Sequence, residues 1–134
     1  MQTDLFIGNE FAPAASGRRF TVVNPATEEP LAEVAEGGEP DIARAVAAAR
    51  GCFESDEWQG LSPRKRGALL LKAADLLAAR SKEVAELETR QNGKPLFESR
   101  IDVGMTVETL RYYGGWADKI GGETLPVDGG WVAQ

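Results

Sequence analysis

The sequence contains no histidine and a single cysteine, Cys52, so it cannot assemble a zinc site, a disulfide framework or a triad that needs an imidazole base. It has no run of about 18 apolar residues to cross a bilayer, and residues 1–10 lack the basic then apolar pattern of a secretory signal. A membrane is therefore not expected as a partner, and the lone cysteine points to a cytoplasmic location. Positive charge is short as well: 15 basic side chains face 21 acidic ones, a net charge of −6. That is too little to displace counterions from a nucleic acid, which is excluded as a partner. What remains is a chain of 134 residues, 43% apolar, enough for one compact domain and not two.

Two β-hairpins are expected within residues 5–34. Leu5-Phe6-Ile7 and Glu10-Phe11 flank Gly8-Asn9, a pair suited to the positive φ of a tight turn. Phe20-Thr21-Val22-Val23 and Leu31-Ala32-Glu33-Val34 flank the turn-forming run Asn24 to Glu29. Three helical segments follow. The first, 40–53, opens with Pro40, has Glu39 and Asp41 at the positive end of its dipole, and carries the apolar stripe Ile42, Val46, Ala49, Phe53. The second, 63–91, opens with Ser62-Pro63 and ends at Gly93 and Pro95. Its expected apolar face is Leu69, Ala73, Leu76, Leu77, Val84 and Leu87, with a break near Arg80 where Ser81 would cap a fresh helix.

The third segment, 98–120, has one stripe of Val103, Val107, Leu110, Gly114 and Ala117, while Met105, Tyr112, Tyr113, Trp116 and Ile120 cover much of the rest. A helix apolar nearly all round requires neighbours on several sides. Gly114-Gly115 in its interior costs about 1 kcal/mol per residue relative to Ala, which makes sense only where another backbone passes close. The last stretch reads as strand, Asp-Gly turn and strand, with Trp131-Val132 beginning a strand that is cut short. The fold class is thus a mostly helical α+β arrangement with two short hairpins, three helical segments and a truncated C-terminal hairpin.

The order of these signals resembles the N-terminal end of the aldehyde dehydrogenase superfamily, an α/β family fold. The landmarks are Phe6-Ile7-Gly8-Asn9-Glu10-Phe11, Val23-Asn24-Pro25-Ala26-Thr27, the Ala-rich helix from Asp41 to Phe53, and Trp58 followed by Ser62-Pro63-Arg64-Lys65-Arg66. They continue with Leu87-Glu88-Thr89-Arg90-Gln91-Asn92-Gly93-Lys94-Pro95, then Leu110-Arg111-Tyr112-Tyr113-Gly114-Gly115-Trp116-Ala117-Asp118, then Gly122-Glu123-Thr124-Leu125-Pro126-Val127.

The resemblance implies an enzyme three to four times longer that oxidises aldehydes to carboxylates with NAD or NADP, through a Cys thiohemiacetal. It also implies that the nucleophile, the general base and the dinucleotide site lie downstream, so that this chain alone is inactive and binds no cofactor. Residues 1–121 would be part of the cofactor-binding domain and 122–134 the start of an oligomerisation arm. Thr124, Leu125, Val127, Trp131 and Val132 would add strands to a neighbouring subunit of a homo-oligomer, or meet the rest of the enzyme. Asp102 and Met105, at i and i+3, would border the aldehyde tunnel; the alternative is a solvated acid and a core Met. Gln91 stands where many relatives carry an acid that helps hold a structural cation, and a neutral amide is a poorer ligand, so no metal is expected.

The residues themselves agree with that inventory. No G-x-G-x-x-G links a strand to a helix, and Gly93-Lys94 lacks the leading Gly and following Ser/Thr of a phosphate loop. Cys52 falls near a helix C-terminus, where the dipole disfavours a thiolate, and reads as structural. Tyr112, Tyr113 and Trp116 read as packing and not as a base-stacking platform. A reading from another class is a short helical interaction module that binds a full-length dehydrogenase subunit.

Overall fold

The computed structural model describes residues 2–122 together with strand residues 125–126 and 132–133. Strands β1 (Leu5–Ile7) and β2 (Glu10–Ala12) form the first antiparallel hairpin, with Phe6 opposite Phe11. Gly8 and Asn9 both take positive φ, 62° and 67°, which matches the twist of the two strands. Strands β3 (Arg19–Val23) and β4 (Pro30–Ala35) form the second, with a register shift between Val22 and Val23. Its turn is closed by Asn24, whose carbonyl accepts from the N–H groups of Thr27 and Glu28 and whose side chain accepts from Ala26. Strands β5 (Leu125–Pro126) and β6 (Val132–Ala133) pair antiparallel, with Leu125 opposite Ala133 and Pro126 opposite Val132. The Asp-Gly turn expected between them lies outside the described residues, as do Thr124, Val127 and Trp131.

Helix α1 (Glu39–Glu54) starts as its sequence suggests, with Pro40 in the first turn. The decisive group is Asp41, only 2% exposed. Its carboxylate accepts from the Gly38 N–H at 3.0 Å, closing the helix start, and from the Ala15 N–H at 3.0 Å, fastening the loop after the first hairpin. Arg44 completes the set at 2.6 Å. Hydrogen bonding from Gly38, helped by Ala15 and Arg44, holds the carboxyl below its ordinary range although burial acts the other way.

A short helix, α2 (Asp56–Gln59), was not expected: Ser55 caps it by accepting from the Trp58 N–H. The Arg66 guanidinium lies over the Trp58 ring at 5.7 Å and donates to the Leu61 carbonyl, which binds the turn to the next helix. The long second segment breaks at Arg80 into α3 (Pro63–Ala79) and α4 (Ser81–Asn92). Ser62 caps α3 by accepting from the Lys65 N–H. Ser81 is not a cap: Arg80 holds that position without a capping side chain and instead pairs with Glu83 at 2.7 Å. Gly93 ends α4 in the left-handed conformation, φ 83°.

Helix α5 (Leu96–Trp116) begins two residues earlier and ends four residues earlier than expected. The Pro95 carbonyl accepts from Glu98 and Ser99 and so starts the helix at once, while the Lys119 N–H turns back to the Trp116 carbonyl and closes it. Helices α3 and α4 both pack on α5. The inner face of α5 is Ser99, Val103, Val107 and Gly114, all buried. On α3 the buried residues are Gly67 and Ala74, and Leu71 lies against Gly114 of α5, so the expected α3 face needs correction: Leu69, Ala73 and Leu76 are exposed. Small residues won because they allow the helices to approach. A Cβ on Gly67 would stand 2.4 Å from the Gly114 carbonyl oxygen, and one on Gly114 would stand 2.9 Å from Leu71 Cδ2. The close approach inferred for Gly114 is real, whereas Gly115 meets nothing within 4 Å among the described residues. Among those residues the buried apolar side chains are Ala14, Ala35, Ala74, Ala85, Val103 and Val107, none larger than valine. No described helix is long and apolar enough to cross a membrane.

Candidate functional site

A groove of about 480 Å³ lies where α4 meets α5, lined by Glu88, Asp102, Met105, Thr106, Thr109 and Leu110. Both residues singled out from the sequence therefore share one groove. Their spacing on α5 puts them on one face, and Glu88 reaches the same groove from α4. Asp102 is not a freely solvated acid. The Lys94 ammonium, on the connection between α4 and α5, donates to Asp102 and also pairs with Glu88. Hydrogen bonds to Asp102 first and Glu88 second raise Lys94 above the ordinary lysine range against its partial burial. Lys94 is placed by the turn that Gly93 makes and by its own N–H, which donates to the Asn92 side chain at 2.9 Å. Along the chain Gly93-Lys94 reads only as a turn, since nothing in the sequence reveals that Glu88 and Asp102 converge on it.

Met105 is not a core residue: it is 63% exposed and presents its thioether at the groove. Behind it the helix is fixed by Ser99, fully buried, whose hydroxyl is 2.8 Å from that of Thr89 on α4. The groove thus has an apolar floor of Met105 and Leu110, two threonine hydroxyls, and an acidic rim neutralised in part by Lys94. Its lining contains no cysteine. Cys52 lies apart, exposed in the last turn of α1, where its carbonyl accepts from Ser55. Among the described residues no three His, Cys, Asp or Glu side chains cluster as metal ligands. Gln91 instead lines a second concavity with Val22, Leu31, Ala32, Val34 and Leu87, an apolar set with no carboxylate.

Comparison with known proteins places this arrangement. The family model described as the aldehyde dehydrogenase family matches residues 11–133. This chain belongs to the aldehyde dehydrogenase family. It is 49% identical to an aldehyde dehydrogenase of Enchytraeus buchholzi over 95% of this chain and 26% of that protein. It is 46% identical to the mitochondrial aldehyde dehydrogenase family 2 member B4 of Arabidopsis thaliana, over 95% of this chain and 24% of that one. Among solved structures, the NAD⁺ complex of an aldehyde dehydrogenase from Bacillus cereus superposes with a TM-score of 0.92 at 42% identity, covering 98% of this chain and 27% of that chain. The chain thus spans about a quarter of the length of the family members it matches.

Proposed function

We propose that this chain is the N-terminal portion of an NAD(P)-dependent aldehyde dehydrogenase, in which it supports the cofactor-binding domain and supplies part of the aldehyde entrance while other segments carry the chemistry. The carrying observation is that a family match over residues 11–133 spans only about a quarter of the length of the relatives it matches. In the complete enzyme, segments other than this one would hold the nicotinamide cofactor, which would supply the hydride-accepting chemistry. The residues described here do not fit a dinucleotide. Their sheets are two-stranded antiparallel hairpins, with no parallel crossover to provide a crevice at a switch point. The oxidation is therefore assigned to none of the described residues.

What these residues would do is shape access. Met105 would set the width of the entrance with a flexible apolar side chain. Asp102, held by Lys94, would keep the rim polar and the α4–α5 connection in place. Leu125 on β5 and Val132 on β6, two strands that pair antiparallel, would begin the arm that joins subunits, together with Thr124, Val127 and Trp131.

The test is a single-chain chimera in which residues 1–134 replace the matching segment of the Bacillus cereus enzyme. It should oxidise aldehydes with NAD⁺, whereas residues 1–134 alone should show no turnover. In the chimera, Met105→Trp should lower kcat/KM for a bulky aldehyde at least tenfold more than for acetaldehyde. Turnover by the isolated chain, or a folded chimera without activity, would sink this reading.

A further inference from the structure

The groove between α4 and α5 carries charge of one sign on its wall. Glu88 and Asp102 line it, and none of its lining residues is basic. The cation that answers them sits behind that wall: Lys94, on the connection between the helices, pairs with Glu88 of α4 and donates to Asp102 of α5. Lys94 and Glu88 are recessed, with side chains 24% and 30% exposed, while Asp102 at 49% stands nearer the mouth. The arginines of α5 are turned away. At about 100° per residue, Arg100 and Arg111 lie about 160° and 180° round the helix from Asp102. Arg111 pairs on that far side with Glu108 and with Asp75 of α3. Two carboxylates and one ammonium therefore leave the rim with a single net negative charge.

Lys94 controls that charge in two ways. Because one ammonium meets both carboxylates, their bonded oxygens are at most about 6 Å apart, two hydrogen-bond lengths. Without it, two like charges would repel at that separation, and Asp102, the less covered of the two, would be the one to move. Removing the ammonium would also double the net negative charge of the rim. The hydrogen bonds to Asp102 and Glu88 raise Lys94 above the ordinary lysine range, so its own charge is secure near neutral pH. A concave wall of one sign beside apolar side chains such as Met105 and Leu110 focuses its field into the opening. One unit of charge about 7 Å from an anion changes its affinity about threefold at the dielectric constant of water and about sevenfold at half that value.

From this geometry we infer that Lys94 is a positioning residue that sets the charge selectivity of the groove: acting through Asp102 and Glu88, it holds the rim at one net negative charge, so that neutral and cationic aldehydes enter in preference to anionic ones. The inference rests on the reading of this groove as an aldehyde entrance. The test uses the single-chain chimera and two aldehydes of equal chain length, neutral hexanal and anionic 6-oxohexanoate, and reads the ratio of their kcat/KM values. An unfolded fraction lowers both rates alike and leaves that ratio untouched. At about 0.01 M salt, where the screening length is about 30 Å, Lys94→Met should lower the ratio of the anionic to the neutral substrate by about three- to sevenfold. Asp102→Asn should raise it by about the same factor. Lys94→Arg, which keeps the charge, should hold the parental ratio. Combining Lys94→Met with Asp102→Asn restores one net negative charge and should bring the ratio back to the parental value, whereas damage to the fold would accumulate. All these differences should collapse at about 1 M salt, where the screening length falls to about 3 Å. An active chimera whose ratio ignores both single substitutions, or changes by amounts that salt does not reduce, would overturn the role of Lys94 and leave the proposed function standing. A folded chimera that turns over neither aldehyde would remove the proposed function and this inference with it.

Discussion

Adding one methyl group at Gly67 or at Gly104 should change stability in opposite directions. Both residues lie inside helices, so replacing either with Ala gains about 1 kcal/mol of helix propensity. At Gly104, a new Cβ meets nothing within 4 Å among the described residues, so that gain should appear in full. At Gly67 the new Cβ would stand 2.4 Å from the Gly114 carbonyl oxygen and 3.1 Å from Ala117 Cβ, and the first obstacle is backbone that cannot rotate away. Relief requires α3 and α5 to part by roughly 1 Å, which forfeits up to about half of the dispersion at each contact across the crossing. Overpacking of this kind reaches about 3 kcal/mol, leaving a net loss of about 2 kcal/mol after the propensity gain. At about 4 °C per kcal/mol for a domain of this length, Gly67→Ala should lower Tm by about 8 °C and Gly104→Ala raise it by about 4 °C. Thermal melts followed by circular dichroism at 222 nm would measure both. Equal shifts, or a Gly67→Ala protein as stable as the parent, would refute the close backbone crossing.

Gly93→Ala should destabilise by about 1–2 kcal/mol, because φ 83° disfavours any Cβ and the new atom would fall 2.7 Å from Pro25 Cγ; urea titration reads this as a lower midpoint at constant slope. Asp41 makes stability depend on acid. Its folded-state carboxyl is depressed chiefly by the Gly38 N–H, so its contribution is complete above the unfolded value near 3.8 and is lost as pH falls through the lower folded value. Asp41→Asn should therefore reduce stability at pH 7 and flatten the pH dependence below about pH 4 in denaturant titrations; an unchanged acid slope would count against the role given to Asp41.

Much of the frame was legible because its signals are local. Gly8-Asn9, Ser62-Pro63 and Gly93 each impose a backbone conformation on their immediate neighbours, and each boundary appears where those residues put it. The family resemblance was legible for the same reason, since its landmarks are the turns and caps themselves. What could not be read depends on distance or smallness. Helix α2 is four residues long, too short for any period to show. The face of α3 was misassigned because leucines weigh heavily in a hydrophobic pattern, while Gly67 and Ala74, which decide how near the helices come, weigh almost nothing. Asp41 was expected near the start of its helix, but its bond to Ala15 spans 26 residues. At the groove, Asp102 and Met105 were singled out by the family resemblance, whereas Lys94 joined them only through the bend that ends α4.

The glycine crossing also makes α3 and α5 intolerant of changes in length. Each residue advances an α-helix by about 1.5 Å and about 100°, so deleting one residue between Ser62 and Gly67 would swing Gly67 away and bring Ala68 toward the Gly114 carbonyl. The outward faces can drift in composition, but insertions and deletions must gather in the connections. The pair works as a vernier, keeping two rods aligned by the only combination of marks that coincides.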